Sequence, residues 1–216
     1  MVSLCGIDEA GRGPVIGPLV MAGVLIDESK LENLRNIGVK DSKLLSPLQR
    51  ERLYDKIIEI VDGYEITITH ADEVDKAVNS ETSNLNWLEA DKSIQIITKL
   101  NPEKAMLDCP SNNIKAYTDY INTKLTTKTK VTCEHGADAT YPEVSAASIL
   151  AKVTRDTLIH EMKKEINIDF GSGYPSDPKT IKFLKENWNR YDFFRKSWSS
   201  WKKLAAAKKQ KKLGEF

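Results

Sequence analysis

The stretch GIDEAGRGPVIGP, residues 6–18, decides the fold. A short apolar run, LCGID (4–8), runs straight into two adjacent carboxylates, Asp8 and Glu9, then into Gly11, Arg12, Gly13 and two prolines. The apolar run reads as a buried strand that delivers Asp8 at its end. The β-branched segment PLVMAGVLI (18–26) reads as the strand that follows it. Neighbouring acids repel, and glycines weaken regular structure. A combination that lowers local stability points to a function kept in the turn between the two strands.

Working outward, SPLQRERLYDKIIEIV (46–61) carries the marks of a helix start: Ser46 as cap, Pro47 at the first position and Gln49 completing a capping box. YEITITH (64–70) alternates with period two and predicts a half-buried strand. Thr82 or Ser83 is expected to cap a long helix bearing Leu85, Leu88, Ile94, Ile97 and Leu100, stopped by Pro102. KAMLD (104–108) reads as a strand, NNIKAYTDYINTKL (112–125) as a helix and TKVTCEH (129–135) as a strand. From Pro142 a helix is expected through residue 166, with Ala146, Ala147, Ser148 and Ala151 permitting close approach to another backbone. Gly171, Gly173, Pro175 and Pro178 then break the chain before a short helical region holding Trp188, Trp198 and Trp201. This order predicts an α/β fold: a mixed sheet flanked by helices, with a C-terminal helical segment.

At 216 residues and 40% hydrophobic content, the chain suits one soluble domain, or one with a small appendage. No apolar run reaches the ~20 residues of a membrane span, and no signal peptide is recognisable. Three cysteines form an odd set without short paired spacing, so a reducing, cytoplasmic location and no disulfide framework are expected. The net charge of +1 is uneven: residues 190–216 carry nine Lys/Arg against two acids, which leaves −6 on the rest. A basic end on an acidic body suits a polyanionic partner, and it equally suits a solvated terminus.

Four acids lie at or just past expected strand ends: Asp8, Glu9, Asp108 and Asp138. Each alone fits a turn or cap. Brought together, they would need a hard, oxygen-seeking cation, Mg²⁺ or Mn²⁺. Two such ions about 4 Å apart suit phosphodiester hydrolysis. GRGPVIG lacks the G-x-G-x-x-G spacing of a dinucleotide site. Cys133 and His135 have no second pair at zinc spacing.

Together GIDEAGRGPVIGPLV, KDSKLLSP, MLDCP, HGADATYPEVSAASILAKVTRD and GSGYPSDP resemble ribonuclease HII in its archaeal form, in the family's order from residue 4 to about 200. The resemblance implies a ribonuclease H-like catalytic domain over 1–168 and a C-terminal helical segment over 169–205 completing the substrate cleft; the basic run that follows, 206–216, is expected to be a flexible tail. It implies a metal-dependent endoribonuclease that hydrolyses the RNA strand of RNA·DNA hybrids and cuts 5′ of single ribonucleotides embedded in duplex DNA, leaving 5′-phosphate and 3′-hydroxyl ends. By motif match, Asp8, Glu9, Asp108 and Asp138 are the catalytic, metal-binding acids for two Mg²⁺ or Mn²⁺ ions. Gly11, Arg12 and Gly13 match the segment that senses the 2′-hydroxyl, and Tyr174 matches the tyrosine at the RNA–DNA junction.

Lys43, Lys152 and Arg155 are candidate phosphate contacts or ordinary surface cations. Asn84 and Asn86 are candidate backbone contacts or helix caps. At the end of the chain, Gln210, Leu213 and Phe216 have the Q-x-x-L-x-x-F spacing that resembles a sliding-clamp docking motif. A monomer is expected. The competing classes are a nucleic-acid-binding protein without catalysis and a metal-dependent DNA nuclease of the same fold.

Overall fold

The structure, a computed structural model, describes residues 2–39 and 45–213, without the side chains of 211–213. Its strands and helices follow in the order β1 Ser3–Ala10, β2 Leu19–Asp27, α1 Leu31–Asn36, α2 Pro47–Ile60, β3 Gly63–Thr69, α3 Ala71–Val78, α4 Leu85–Leu100, β4 Lys104–Asp108, α5 Ile114–Lys124, β5 Lys130–Glu134, α6 Ala137–Thr140, α7 Pro142–Ile166, α8 Pro178–Asn187 and α9 Ser199–Leu213. The strands form one mixed sheet in the order β3-β2-β1-β4-β5. Strand β1 is antiparallel to β2 and parallel to β4, and β4 is parallel to β5. The architecture is the helix-flanked mixed sheet expected from the sequence.

Most boundaries follow local chemistry. Ser46 caps α2 with the full capping box, the Gln49 side chain accepting from the Ser46 N–H. Asn113 caps α5 by accepting from the Ala116 N–H. Helix α4 begins at Leu85, which places its cap position at Asn84 rather than at Thr82 or Ser83. Those two lie in a preceding turn, where the Thr82 N–H donates to Ser80 Oγ. The basic end expected as a flexible tail is instead helical through Leu213. Three consecutive alanines followed by Lys, Gln and Leu are strong helix formers.

Contacts divide the chain into two compact units. Unit 1 comprises residues 1–10, 20–68 and 85–154 and holds the sheet core. Cys5, Ile7, Ala105, Leu107, Val131 and Cys133 point to one face and pack against Ile96 and Ile97 of α4 and Tyr117 and Ile121 of α5. Side chains alternate along a strand, so Leu4, Gly6, Asp8, Lys104, Met106, Asp108, Lys130 and Thr132 belong to the other face. Helix α7 lies on that face. A Cβ on Gly6 would stand 2.2 Å from the Glu143 backbone, so only glycine allows strand and helix to touch there.

Unit 2 comprises residues 11–19, 69–84 and 155–216. Its core is aromatic: Phe170, Phe183 and Phe194 pack with Val15, Ile16 and Ile159. The 11–19 loop is held between two other segments by backbone hydrogen bonds. The Val15 N–H donates to Gly173 O, the Gly17 N–H to Phe193 O, and the Arg195 N–H to Val15 O.

Candidate active site

In unit 1, parallel β1 and β4 finish at the same edge of the sheet. Ile7 pairs with Leu107, which sets Asp8 and Asp108 next to each other on neighbouring strands. Strand β5 leads through Gly136, at φ 68°, into α6, whose first turn carries Asp138. One carboxylate oxygen from each of Asp8, Asp108 and Asp138 lies within 4.8 Å of the others.

Asp8 and Asp138 are buried. Asp108 accepts hydrogen bonds from the Gly136 and Ala137 N–H groups at 2.8 and 3.3 Å, which fixes its carboxylate. Asp8 accepts from the Glu9 N–H at 2.7 Å and is hydrogen-bonded to Ser148 of α7. Burial first, then the charge of Glu9, then that of Asp108, hold the Asp8 carboxyl well above the usual carboxylate range.

This donor set fits a hard divalent cation. Every donor is a carboxylate oxygen, and the repulsion that raises Asp8 is what a cation would cancel. Glu9 is not in the converging set. Its charge nevertheless acts on Asp8, as the second cause of the raised Asp8 carboxyl. The Cys133–His135 pair takes no part: Cys133 is in the core, and His135 Nδ1 is 2.9 Å from the Cys109 carbonyl.

The Gly-Arg-Gly loop belongs to unit 2 and is built around a residue that the sequence reading missed. Arg195 is fully buried. Its Nη2 donates to Gly11 O at 2.6 Å, Nη1 to Arg12 O at 3.0 Å and Nε to Gly17 O at 3.0 Å. Trp198 continues the row, its indole N–H donating to Gly13 O at 3.0 Å, and the Arg195 guanidinium stands 4.9 Å from the Trp198 ring centre. Burial and the nearby Arg155 push the Arg195 pKa down to about 9, so it is still a cation at neutral pH. A trans peptide points its C=O and N–H oppositely. Holding the Gly11 and Arg12 carbonyls inward therefore turns the Arg12 and Gly13 N–H groups outward.

Tyr174 lies on this loop. A Cβ on Gly13 would meet its ring at 3.4 Å. Arg155, expected as a phosphate contact, is placed differently. It is 4% exposed, its guanidinium lies 5.4 Å from the Tyr174 ring centre, and its Nη2 donates to Ser172 O at 3.4 Å. It continues the buried Ala147–Ala151 stripe of α7 by one turn, so it packs the loop from within. Lys152 is half-buried, one turn beyond Ser148 on the helix face that meets Asp8. Asn84 is exposed and Asn86 half-buried. Gln210 is exposed on α9. Lys43, Phe216 and the Leu213 side chain lie outside the described residues.

Gly11 and Gly13 differ sharply. Gly11 has φ +85° and leaves 2.4 Å between an added Cβ and Arg155 Nε, whereas Gly13 has ordinary backbone angles and 3.4 Å of space. Gly11→Ala should therefore cost about 2 kcal/mol or more by thermal denaturation, from φ strain plus crowding. Gly13→Ala should fall within about 1 kcal/mol of the parent.

The ribonuclease HII family model matches residues 5–201. The chain belongs to the ribonuclease HII family. A ribonuclease HII of Pyrococcus furiosus is 45% identical over 213 residues, covering 96% of this chain and 93% of that protein. The crystal structure of ribonuclease H2 from Pyrococcus horikoshii OT3 superposes with a TM-score of 0.84 at 41% identity, over 94% of this chain and 96% of that one. The ribonuclease HII of Archaeoglobus fulgidus, solved in complex with PCNA, gives 0.78 at 40% identity, over 86% of each chain. Membership makes the chain a nuclease of the hydrolase class, with ribonuclease H activity toward the RNA strand of RNA·DNA hybrids. Among the described residues, no helix is long and apolar enough to cross a membrane.

Proposed function

We propose that this member of the family cuts 5′ of single ribonucleotides embedded in duplex DNA, as well as within longer hybrids, with two divalent ions, Mg²⁺ or Mn²⁺. The observation that carries the reading is the convergence of the Asp8, Asp108 and Asp138 oxygens, with burial and the charges of Glu9 and Asp108 holding the Asp8 carboxyl well above the usual carboxylate range. Those three residues would hold an ion, with Glu9 at the same strand end available to a second. Bound there, the ions supply an activated water and neutralise charge on the reacting phosphate. Water adds to the phosphorus 5′ of the ribonucleotide, and the bond to the upstream 3′-oxygen breaks. That oxygen leaves as a 3′-hydroxyl once protonated, and the ribonucleotide keeps the 5′-phosphate.

Selection for RNA needs a contact to the 2′-hydroxyl. The outward Arg12 and Gly13 N–H groups suit it, because glycine lets a ligand approach the backbone closely. Tyr174, 36% exposed beside Gly13, suits stacking on the sugar at the RNA–DNA junction. Lys152, Lys43 and Asn84 are assigned to the nucleic-acid backbone. In this scheme unit 1 cuts and unit 2 recognises.

The test is a cleavage assay with Mg²⁺ on a duplex holding one ribonucleotide, beside an all-DNA control. Cleavage of the first alone, 5′ of the ribonucleotide, is expected. Cutting of the all-DNA duplex would favour a DNA nuclease, and binding without cutting would favour a passive binder. Tyr174→Ala should slow cleavage at the isolated ribonucleotide by roughly tenfold or more, the loss of one stacking contact, with metal affinity unchanged. Equal losses in both would remove its junction role.

The tail is assigned to a sliding clamp through Gln210, Leu213 and Phe216, and the Archaeoglobus relative solved with PCNA supports this reading. Deleting residues 208–216 should abolish clamp pull-down and leave cleavage of short duplexes unchanged. Retained pull-down would contradict the assignment.

A further inference from the structure

Unit 2 holds a carboxylate that the cleavage scheme leaves without a part. Asp75 lies on α3, one helical turn beyond Ala71 and next to Val74. Those two are buried, and Asp75 stands half-buried at the edge of the face they form. Its carboxylate reaches a segment 121 residues further along the chain. One oxygen, Oδ2, accepts from the Lys196 N–H at 2.7 Å. The other, Oδ1, accepts from the Ser197 N–H at 2.9 Å and from the Ser197 hydroxyl.

That segment is a turn. The Trp198 N–H donates to Arg195 O at 3.2 Å and closes residues 195–198. Such a turn satisfies its first carbonyl and its last N–H, and leaves the N–H groups of its central residues to find other acceptors. Here the central residues are Lys196 and Ser197, and one carboxylate takes both N–H groups. Ser197 is buried, so its N–H has little recourse to water. The ends of the turn are Arg195 and Trp198, whose side chains hold the Gly11, Arg12 and Gly13 carbonyls. The turn between them sets how those two side chains point relative to each other. Asp75 thus grips the middle of the turn while its ends grip the loop. Burial and then Arg155 lower the Arg195 pKa, and the charge of Asp75 acts against them.

We propose that Asp75 is a positioning residue for recognition of the ribonucleotide: it fixes the 195–198 turn and, through Arg195 and Trp198, aims the Arg12 and Gly13 N–H groups at the 2′-hydroxyl. The inference rests on the reading of residues 11–13 as the 2′-hydroxyl sensor. Asp75 touches no nucleic acid in this scheme and acts only through the turn. An amide cannot replace it. Asn offers one acceptor oxygen, and its NH₂ would face a turn N–H that the second oxygen of Asp75 accepts. One central N–H then has no acceptor, and the turn loses the contact that sets its angle. A tie that only stabilised the fold would leave specificity unchanged in a folded variant.

The experiment is steady-state cleavage, with Mg²⁺, of a duplex holding one ribonucleotide, with the all-DNA duplex of the same sequence as competitive inhibitor. The full chain is compared with Asp75→Asn, Asp75→Ala and Ser197→Ala at a temperature where circular dichroism shows each folded. Both Asp75 variants should lower kcat/KM at the ribonucleotide by roughly tenfold or more, with the Ki of the all-DNA duplex within about twofold of the parent. Ser197→Ala removes the hydroxyl donor and keeps both backbone bonds, so its kcat/KM should stay within about twofold. An unchanged kcat/KM in folded Asp75→Asn and Asp75→Ala, an equal rise in Ki, or a loss as large in Ser197→Ala would each overturn the proposal. Arg195→Met, run beside them, separates this inference from the reading beneath it. If Arg195→Met loses the preference for the ribonucleotide and the Asp75 variants keep it, the loop reading stands and the role of Asp75 falls. If none of them loses it, the loop reading falls as well.

Discussion

Asp8→Asn is expected to leave binding of an RNA·DNA hybrid nearly unchanged and to lower cleavage by roughly 10³-fold, the scale of losing one preorganised electrostatic stabiliser of a transition state. The same substitution should change stability in a direction that a merely structural aspartate would not give. The fold raises the Asp8 pKa through burial and the charges of Glu9 and Asp108. A carboxyl raised in this way contributes its stability fully below its unfolded value of about 4. That contribution is lost as pH rises through the folded value. At pH 7 the metal-free protein therefore carries a penalty that Asn removes, so metal-free Asp8→Asn should melt above the parent. Saturating Mg²⁺ or Mn²⁺ should raise the parent's Tm, by about 2.7 kcal/mol of linkage at 100 times Kd, and raise the variant's much less. A variant that melts lower without metal, and still gains as much from it, would show that Asp8 does not hold the ion.

Arg195→Met carries the second large effect. It removes the donors to the Gly11, Arg12 and Gly17 carbonyls while keeping much of the side-chain volume. Each buried carbonyl left without a donor costs about 1–3 kcal/mol, so a loss of about 3 kcal/mol or more is expected. At about 2–4 °C per kcal/mol for a chain of this size, that is a drop near 10 °C in Tm. The loop should lose function as well as order. Discrimination between a ribonucleotide and a deoxyribonucleotide at the cleavage site should fall, because the Arg12 and Gly13 N–H groups are aimed by the carbonyls that Arg195 holds. Arg195→Lys should not rescue it, since an ammonium lacks the planar fork that reaches three separate acceptors. Full rescue by Lys, or unchanged discrimination in a folded Arg195→Met protein, would show that the loop orders itself without this contact.

These two residues also mark what the sequence reveals and what it hides. Asp8, Asp108 and Asp138 were legible because each ends a strand or follows one, and parallel strands finish at one edge. Helix limits at Pro47, Asn113 and Pro142 follow from caps and prolines that act within a few residues. Arg195 was not legible. Its partners are more than 170 residues away in sequence, and nothing local in FFRKSW separates a buried guanidinium from a surface one.

Other differences did leave a signal. Arg155 lies four residues beyond Ala151 and eight beyond Ala147, on the stripe that had to be buried. The AAAKKQKKL run has helix propensity throughout, and α9 accordingly extends to Leu213.

The central claim is that Asp8, Asp108 and Asp138 hold one divalent ion in common. Anomalous diffraction from crystals soaked in Mn²⁺ tests it most directly. The account predicts a manganese peak within about 2.2 Å of a carboxylate oxygen of each of the three. A peak bound by other residues, or Asp108 or Asp138 turned away from the ion that Asp8 binds, would contradict it.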